Sequence, residues 1–179
     1  MKPQKPSIYA GLQRFVDYSY TTELYNTTPL HDIGKVGIPD HILLKPGKLT
    51  PEEFEVMKKH TTYGVEALRS LGHDSDSLSI IRTASEIVGA HHEKFNGTGY
   101  PKGLAGKEIP LSGRLMAIID VYDALVSERV YKPAFTHEAA LSILAEERNK
   151  HFDPDITDAF FKIESDIRSI TESLMQRKS

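Results

Sequence analysis

Apolar residues in this chain return every three to four positions in one segment after another, and no strand-like alternation persists. That pattern restricts the fold to packed helices. Thr50-Pro51-Glu52-Glu53 supplies an N-cap, a proline for the first helical position and a capping-box acid. Behind it Phe54, Met57, Thr61, Val65 and Leu68 form one stripe, which predicts a helix to about Leu71, ended by Gly72. A second helix is expected from about Leu78 to His91, with Ile80, Ile81, Ala84, Ile87 and Val88 inward. A third spans roughly Ser112 to Glu128 through Leu115, Ile118, Ile119, Tyr122 and Leu125. Thr136 caps a fourth, to about Lys150. Asp153-Pro154 opens the last, whose stripe is Ile156, Phe160, Ile163, Ile167 and Ile170. Gly37 to Gly47 and the glycine-rich stretch from Asn96 to Pro110 read as loops. The second is long enough to suggest function.

The 179 residues suit one domain with a core of its own. No window approaches the roughly eighteen apolar residues of a membrane span, and the first thirty residues hold no secretory signal. A cytoplasmic location away from membranes is the expectation. Cysteine is absent, which excludes disulfides and thiolate metal sites and leaves His, Asp and Glu as ligands. A net charge of -3 argues against a DNA-binding surface. An anionic substrate would have to be held by local cations.

Several polar groups stand where a helical core should be apolar. His31-Asp32 closes a short helical pattern. His60 lies on the stripe three residues after Met57, and His91-His92 end the second predicted helix. Asp120 sits between Ile119 and Val121 on the third. Each alone would be a hydrogen-bonded packing residue or a cap. Together they resemble the way helical bundles build metal sites from facing helices. Such N and O donors suit Fe, Mn or Zn. Two ions about 3.5–4 Å apart would activate a water and clamp an in-line displacement at phosphorus.

Lys35 follows Asp32 by one turn and reads either as a solvated lysine or as the group that meets a phosphate oxygen or protonates a leaving group. Arg129 and Lys132 follow the third helix. They either stabilise its C-terminus or hold a second phosphate. Gly97 and Gly99 permit close backbone approach, and Tyr100-Pro101 offers a flat apolar surface suited to a purine. His41, His73, His137 and His151 lack such company and read as ordinary packing or surface residues.

In order along the chain stand His31-Asp32-Ile33-Gly34-Lys35, Lys45-Pro46-Gly47, His60 and the block His91-His92-Glu93-Lys94-Phe95-Asn96-Gly97-Thr98-Gly99-Tyr100-Pro101. Asp120-Val121-Tyr122-Asp123-Ala124-Leu125 and Arg129-Val130-Tyr131-Lys132 follow. From about Leu24 to Phe161 this series resembles the HD-GYP family, phosphodiesterases of the HD superfamily that degrade cyclic di-GMP. The resemblance implies an all-α HD-superfamily helical bundle with a long Gly/Pro-rich substrate loop. It implies metal ligation by His31, Asp32, His60, His91, His92 and Asp120, with Asp32 and Lys35 catalytic. Lys35, Arg129 and Lys132 would contact phosphate, and Gly99, Tyr100 and Pro101 would form the substrate loop. The implied reaction is metal-dependent hydrolysis of cyclic di-GMP to linear pGpG, to GMP, or to both.

Members of that family begin with a helix carrying a Glu and a His that complete the metal cluster. Residues 1–30 of this chain contain no His, and their only acids are Asp17 and Glu23. Residues 1–23 are therefore expected to lack those ligands, and 24–176 to form the HD-GYP-like domain with two divalent ions. Apolar surface left where that helix would pack favours homo-oligomers. The alternative reading is a catalytically impaired HD-GYP-like module that binds cyclic di-GMP or a signalling partner protein.

Overall fold

The computed structural model describes residues 18–71, 78–128 and 133–176. Regular structure among them is helical, with two isolated β-bridges, Asn96 to Ala105 and Arg148 to Phe152. No described helix is long and apolar enough to cross a membrane.

Helix α1 spans Tyr18–Thr27. Next comes a 3-10 turn, Thr28–Leu30, with Pro29 near its start, and a second, Ile33–Gly37. His31 and Asp32 therefore lie between two tight turns rather than at the end of one helix. The stretch expected as a loop after Gly37 contains a short helix, α2 (Asp40–Leu43), entered through Pro39 and anchored by buried Ile42.

The helix predicted from Thr50 to Leu71 is two: α3 (Pro51–Lys58) and α4 (His60–Arg69). Its start is as predicted. Thr50 Oγ1 accepts from the Glu53 N–H at 3.3 Å, and the Thr50 N–H donates to Glu53 Oε2 at 2.7 Å. At the break the Lys59 N–H turns back to the Val56 carbonyl. His60 Nδ1 takes the Met57 carbonyl at 2.7 Å, and Thr61 Oγ1 donates to that of Lys58. Side chains thus satisfy carbonyls that the interrupted ladder leaves free. Gly72, the predicted stop, and His73 lie outside the described residues.

Helix α5 runs Leu78–Ala90 and α6 runs Leu111–Val126. On these two helices Ile80 and Ile119 are exposed rather than inward, at 44% and 46%, as are Phe54 and Ile170 of the other predicted stripes. Thr83, Ala84, Ile87 and Val88 face inward on α5, and Met116, Ile118, Tyr122 and Val126 on α6. Helix α7 (His137–Glu146), capped by Thr136, ends before Lys150. The Glu147 carbonyl there accepts from the N–H groups of Lys150, His151 and Phe152, and Asn149 adopts a φ of 63°. The last predicted helix also divides, into α8 (Pro154–Lys162) and α9 (Glu164–Gln176). Ile163 between them leaves helical backbone at φ -115°, and it is half-exposed.

The main core joins α6, α7 and α8 through Ile118, Tyr122, Ala140, Leu144, Phe152, Ile156 and Phe160. A smaller cluster of Leu68, Ala84 and Val88 ties α4 to α5, with Leu30 packed on it. Two close approaches set the layer spacing. A Cβ on Gly113 would sit 2.8 Å from that of Ala90, so α6 crosses the end of α5 tightly. A Cβ on Gly34 would collide with the His60 carbonyl oxygen and lie 2.5 Å from the Gly64 nitrogen. Only glycine lets the turn after His31-Asp32 lie flat on α4.

Candidate metal centre

That contact brings Asp32 to the first residue of α4. His60 is fully buried, and its Nδ1 is taken by the Met57 carbonyl. His91 follows the last turn of α5, with Nδ1 at 3.0 Å from the Ile87 carbonyl and 3.1 Å from that of Val88. His31 Nδ1 lies 3.0 Å from the Thr28 carbonyl. A carbonyl only accepts, so each of these imidazoles carries a proton on Nδ1 and aims Nε2 inward. For His60 and His91 that Nε2 presents a lone pair, while His31 Nε2, 3.2 Å from Asp32 Oδ2, holds a second proton against that carboxylate when the ring is charged. The tight turns and helix ends that expose these carbonyls therefore also aim the ligands.

The Nε2 atoms converge on Asp32. Its Oδ1 is 3.5 Å from His60 and 4.0 Å from His91, while its Oδ2 is 3.2 Å from His31 and 2.6 Å from Lys35 Nζ. One ligand atom each from Asp32, His60, His91 and His92 all lie within 4.8 Å of one another. Asp32 Oδ1, His60 Nε2 and His91 Nε2 are buried without any hydrogen-bond partner. Buried lone pairs without donors are costly. Three of them pointing at one another suit a cation, and the N and O donors suit a divalent one. Asp120, from the middle of α6, comes within 3.8 Å of His31 Nε2 and adjoins the four.

For His60, His91 and His92 the electrostatics agree with ligand duty. Burial pushes the His91 imidazolium down to about 4 and lowers His60 as well. His92 is lowered by burial and then by its His91 and His60 neighbours. Neutral imidazoles are what a metal needs. Burial would raise Asp32, but hydrogen bonds from His31 and Lys35 outweigh it and hold the carboxyl well below its usual range. His31 is raised, chiefly by its hydrogen bond to Asp32. Asp32, Lys35, His92 and Asp120 open onto a cavity of about 340 Å³ walled by Val121 and Leu125.

The predicted substrate loop folds over this cluster. The Tyr100 ring lies 4.8 Å from that of His92 and edge-on to Phe54 at 5.9 Å. Burial raises the Tyr100 hydroxyl, and the Asp32 and Asp120 charges add to the effect. A Cβ on Gly99 would collide with the Lys94 nitrogen and stand 2.5 Å from the Glu93 Cα, so that glycine is required by close approach. Pro101 is exposed at the outer edge.

A model of the HD domain matches residues 9–156. The chain belongs to the HD domain family. Relatives of the chain match at high identity. One is a cyclic di-GMP phosphodiesterase of Vibrio cholerae serotype O1, 56% identical over 82% of this chain and 30% of that protein. Another, from the same organism, is 3′3′-cGAMP-specific phosphodiesterase 2, 43% identical over 83% of this chain and 28% of that protein. This HD domain thus spans about a third of the length of these relatives. A solved cyclic GMP-AMP-specific phosphodiesterase of V. cholerae shares the fold at a TM-score of 0.59 and 18% identity, over 94% of this chain and 46% of that one.

Within this HD domain Arg129 and Lys132 lie outside the described residues, as does Asp17. Glu23 is turned away from the metal centre, accepting from Ser79 Oγ at 2.5 Å and Thr83 Oγ1 at 2.9 Å. Three contributors carried no functional assignment from sequence. Phe54 and Lys58, one turn apart on α3, border Tyr100, with Lys58 Nζ 5.6 Å from that ring. Their spacing puts them on one helix face, yet nothing local says which element that face meets. Glu93 stood inside the quoted block, and its partners lie nine and eleven residues on.

Proposed function

We propose that this HD domain is a cytoplasmic, metal-dependent phosphodiesterase that hydrolyses cyclic di-GMP to pGpG, GMP or both. The observation that carries the reading is the set of partnerless buried lone pairs on Asp32, His60 and His91, beside Lys35 and beneath the Tyr100 loop. The names of its relatives support the substrate class.

In this reading His31, Asp32, His60, His91, His92 and Asp120 hold two divalent ions, of Fe, Mn or Zn. The chemistry such ions supply when bound is Lewis acidity, toward a phosphate oxygen and toward an attacking water. Asp32 stays ionised and keeps the Lys35 ammonium at 2.6 Å, on the wall of the cavity. From there Lys35 donates to the phosphate or gives a proton to the departing 3′ oxygen. Water is consumed, one P–O bond forms and the P–O3′ bond breaks. Tyr100 and Pro101, carried on Gly99, hold a guanine base, and Arg129 and Lys132 meet the second phosphate. Residues 1–23 contribute no ligand, consistent with Glu23 being engaged by α5.

The test is incubation of anaerobically purified protein with Mn²⁺ or Fe²⁺ and cyclic di-GMP, with 3′3′-cGAMP in parallel, and chromatography of the products. Metal-dependent release of pGpG or GMP is expected. Tight nucleotide binding without turnover would replace the enzyme by a binding module in cyclic di-GMP signalling.

A further inference from the structure

We infer that Glu93 is a positioning residue, which clamps the Gly97–Leu104 loop so that Tyr100 stays seated on His92 and fixes the orientation of that imidazole. The inference rests on reading the cluster as a metal centre. His31, His60 and His91 are each oriented by a hydrogen bond from Nδ1 to a main-chain carbonyl. His92 has no side-chain hydrogen bond among the described residues. Its ring is bounded instead by rings, those of His91 at 4.0 Å, Tyr100 at 4.8 Å and His60 at 5.2 Å. A metal-ligating imidazole needs an outer partner to set its direction. For His92 the one such neighbour that is not itself a candidate ligand is Tyr100.

Tyr100 has no helix to hold it. It rides on a loop whose main chain is tied to the ligand segment at a few points. The Tyr100 N–H donates to the His92 carbonyl at 3.2 Å, and the Gly97 N–H to that of Lys94 at 2.7 Å. The Thr98 N–H reaches Asn96 Oδ1 at 3.1 Å, and the Gly106 N–H reaches the Phe95 carbonyl at 2.8 Å just beyond the loop. Between Tyr100 and Leu104 two further ties are made by Glu93, whose side chain is fully buried. Its Oε1 accepts the Lys102 N–H at 2.7 Å, and its Oε2 accepts the Leu104 N–H at 3.1 Å. Two main-chain donors converge on one side chain, so both of its terminal atoms must be acceptors. Among side chains of this shape only a carboxylate meets that demand, since an amide would present N–H to N–H at one of the two contacts. Burying a carboxylate with no ion pair among the described residues is expensive, and the loop is what it holds.

The test uses Glu93→Gln, close to isosteric, and Tyr100→Ala as a second route to the same ligand. Amide exchange at Lys102 and Leu104 is followed by NMR in the metal-free protein, and Mn²⁺ affinity by titration. In Glu93→Gln those two amides should exchange faster while amides of α4–α6 keep their protection. Mn²⁺ affinity should fall by about tenfold or more. Tyr100→Ala should lower Mn²⁺ affinity to a similar extent. Unchanged Mn²⁺ affinity in either variant would overturn the inference, and so would loss of protection throughout α4–α6, which would make Glu93 a support of the whole fold. A wild type that binds Mn²⁺ but hydrolyses no cyclic dinucleotide would refute the proposed function alone.

Discussion

Asp32 Oδ1 and His60 Nε2 face each other across 3.5 Å, buried, with no hydrogen bond between them or to any other group. The Met57 carbonyl holds the His60 proton on Nδ1, and His31 and Lys35 keep Asp32 ionised. Two lone pairs therefore oppose each other with no donor between them, an arrangement that a cation relieves and that packing alone does not.

Asp32→Ala should accordingly abolish metal binding and any hydrolysis that depends on it. His41→Ala, at an exposed position on α2, should leave both unchanged. Elemental analysis of the two anaerobically purified variants distinguishes them, and equal loss in both would move the metal centre elsewhere.

Lys35→Met should keep the bound metal and lose turnover, because the ammonium is assigned to the substrate rather than to the cluster. A general acid contributes about 10²- to 10⁴-fold, and kcat should drop within that range. Loss of metal affinity instead would reassign Lys35 to holding Asp32, which it contacts at 2.6 Å.

Gly34→Ala should be severe. Its Cβ would meet the His60 carbonyl, which is backbone and cannot swing aside. Forcing the turn off α4 should cost about 3 kcal/mol or more, read as a lower urea midpoint. Lys48→Ala, exposed in the loop before α3, should stay within about 0.5 kcal/mol of wild type.

His151 stacks on Phe152; burial, with the Lys94 charge adding, pushes it down to about 4 from an ordinary 6.5. The unfolded chain takes up a proton between those values that the folded chain refuses. Stability from this group is therefore full above pH 6.5 and falls as pH drops toward 4, by at most about 3 kcal/mol. His151→Gln should flatten that part of the pH profile in metal-free protein. An unaltered slope in urea melts at pH 4.5, 5.5 and 7 would show that other groups carry it.

Much of the fold was legible because helical periodicity and caps are local. Thr50, Thr136 and Asp153 cap the helices they were expected to cap, and Asp32, His60, His91 and His92 meet as the interrupted stripes suggested. The breaks at Lys59 and Ile163 were not legible, because apolar spacing continues across both. A side chain taking a carbonyl, as His60 does, leaves no mark on periodicity. Ile80 and Ile119 were misplaced because a stripe gives a helix its apolar sector but not the width its neighbours cover.

By itself the sequence determined the helical class, the donor chemistry of a cysteine-free site and the order of its motifs. Tertiary structure decided which lone pairs are left without partners. That depends on Gly34 lying against α4, on which carbonyls capture each Nδ1, and on Glu93 reaching two amides of a distant loop. Residue type sets what a group can donate or accept, whereas satisfaction is a property of everything packed within about 3 Å of it.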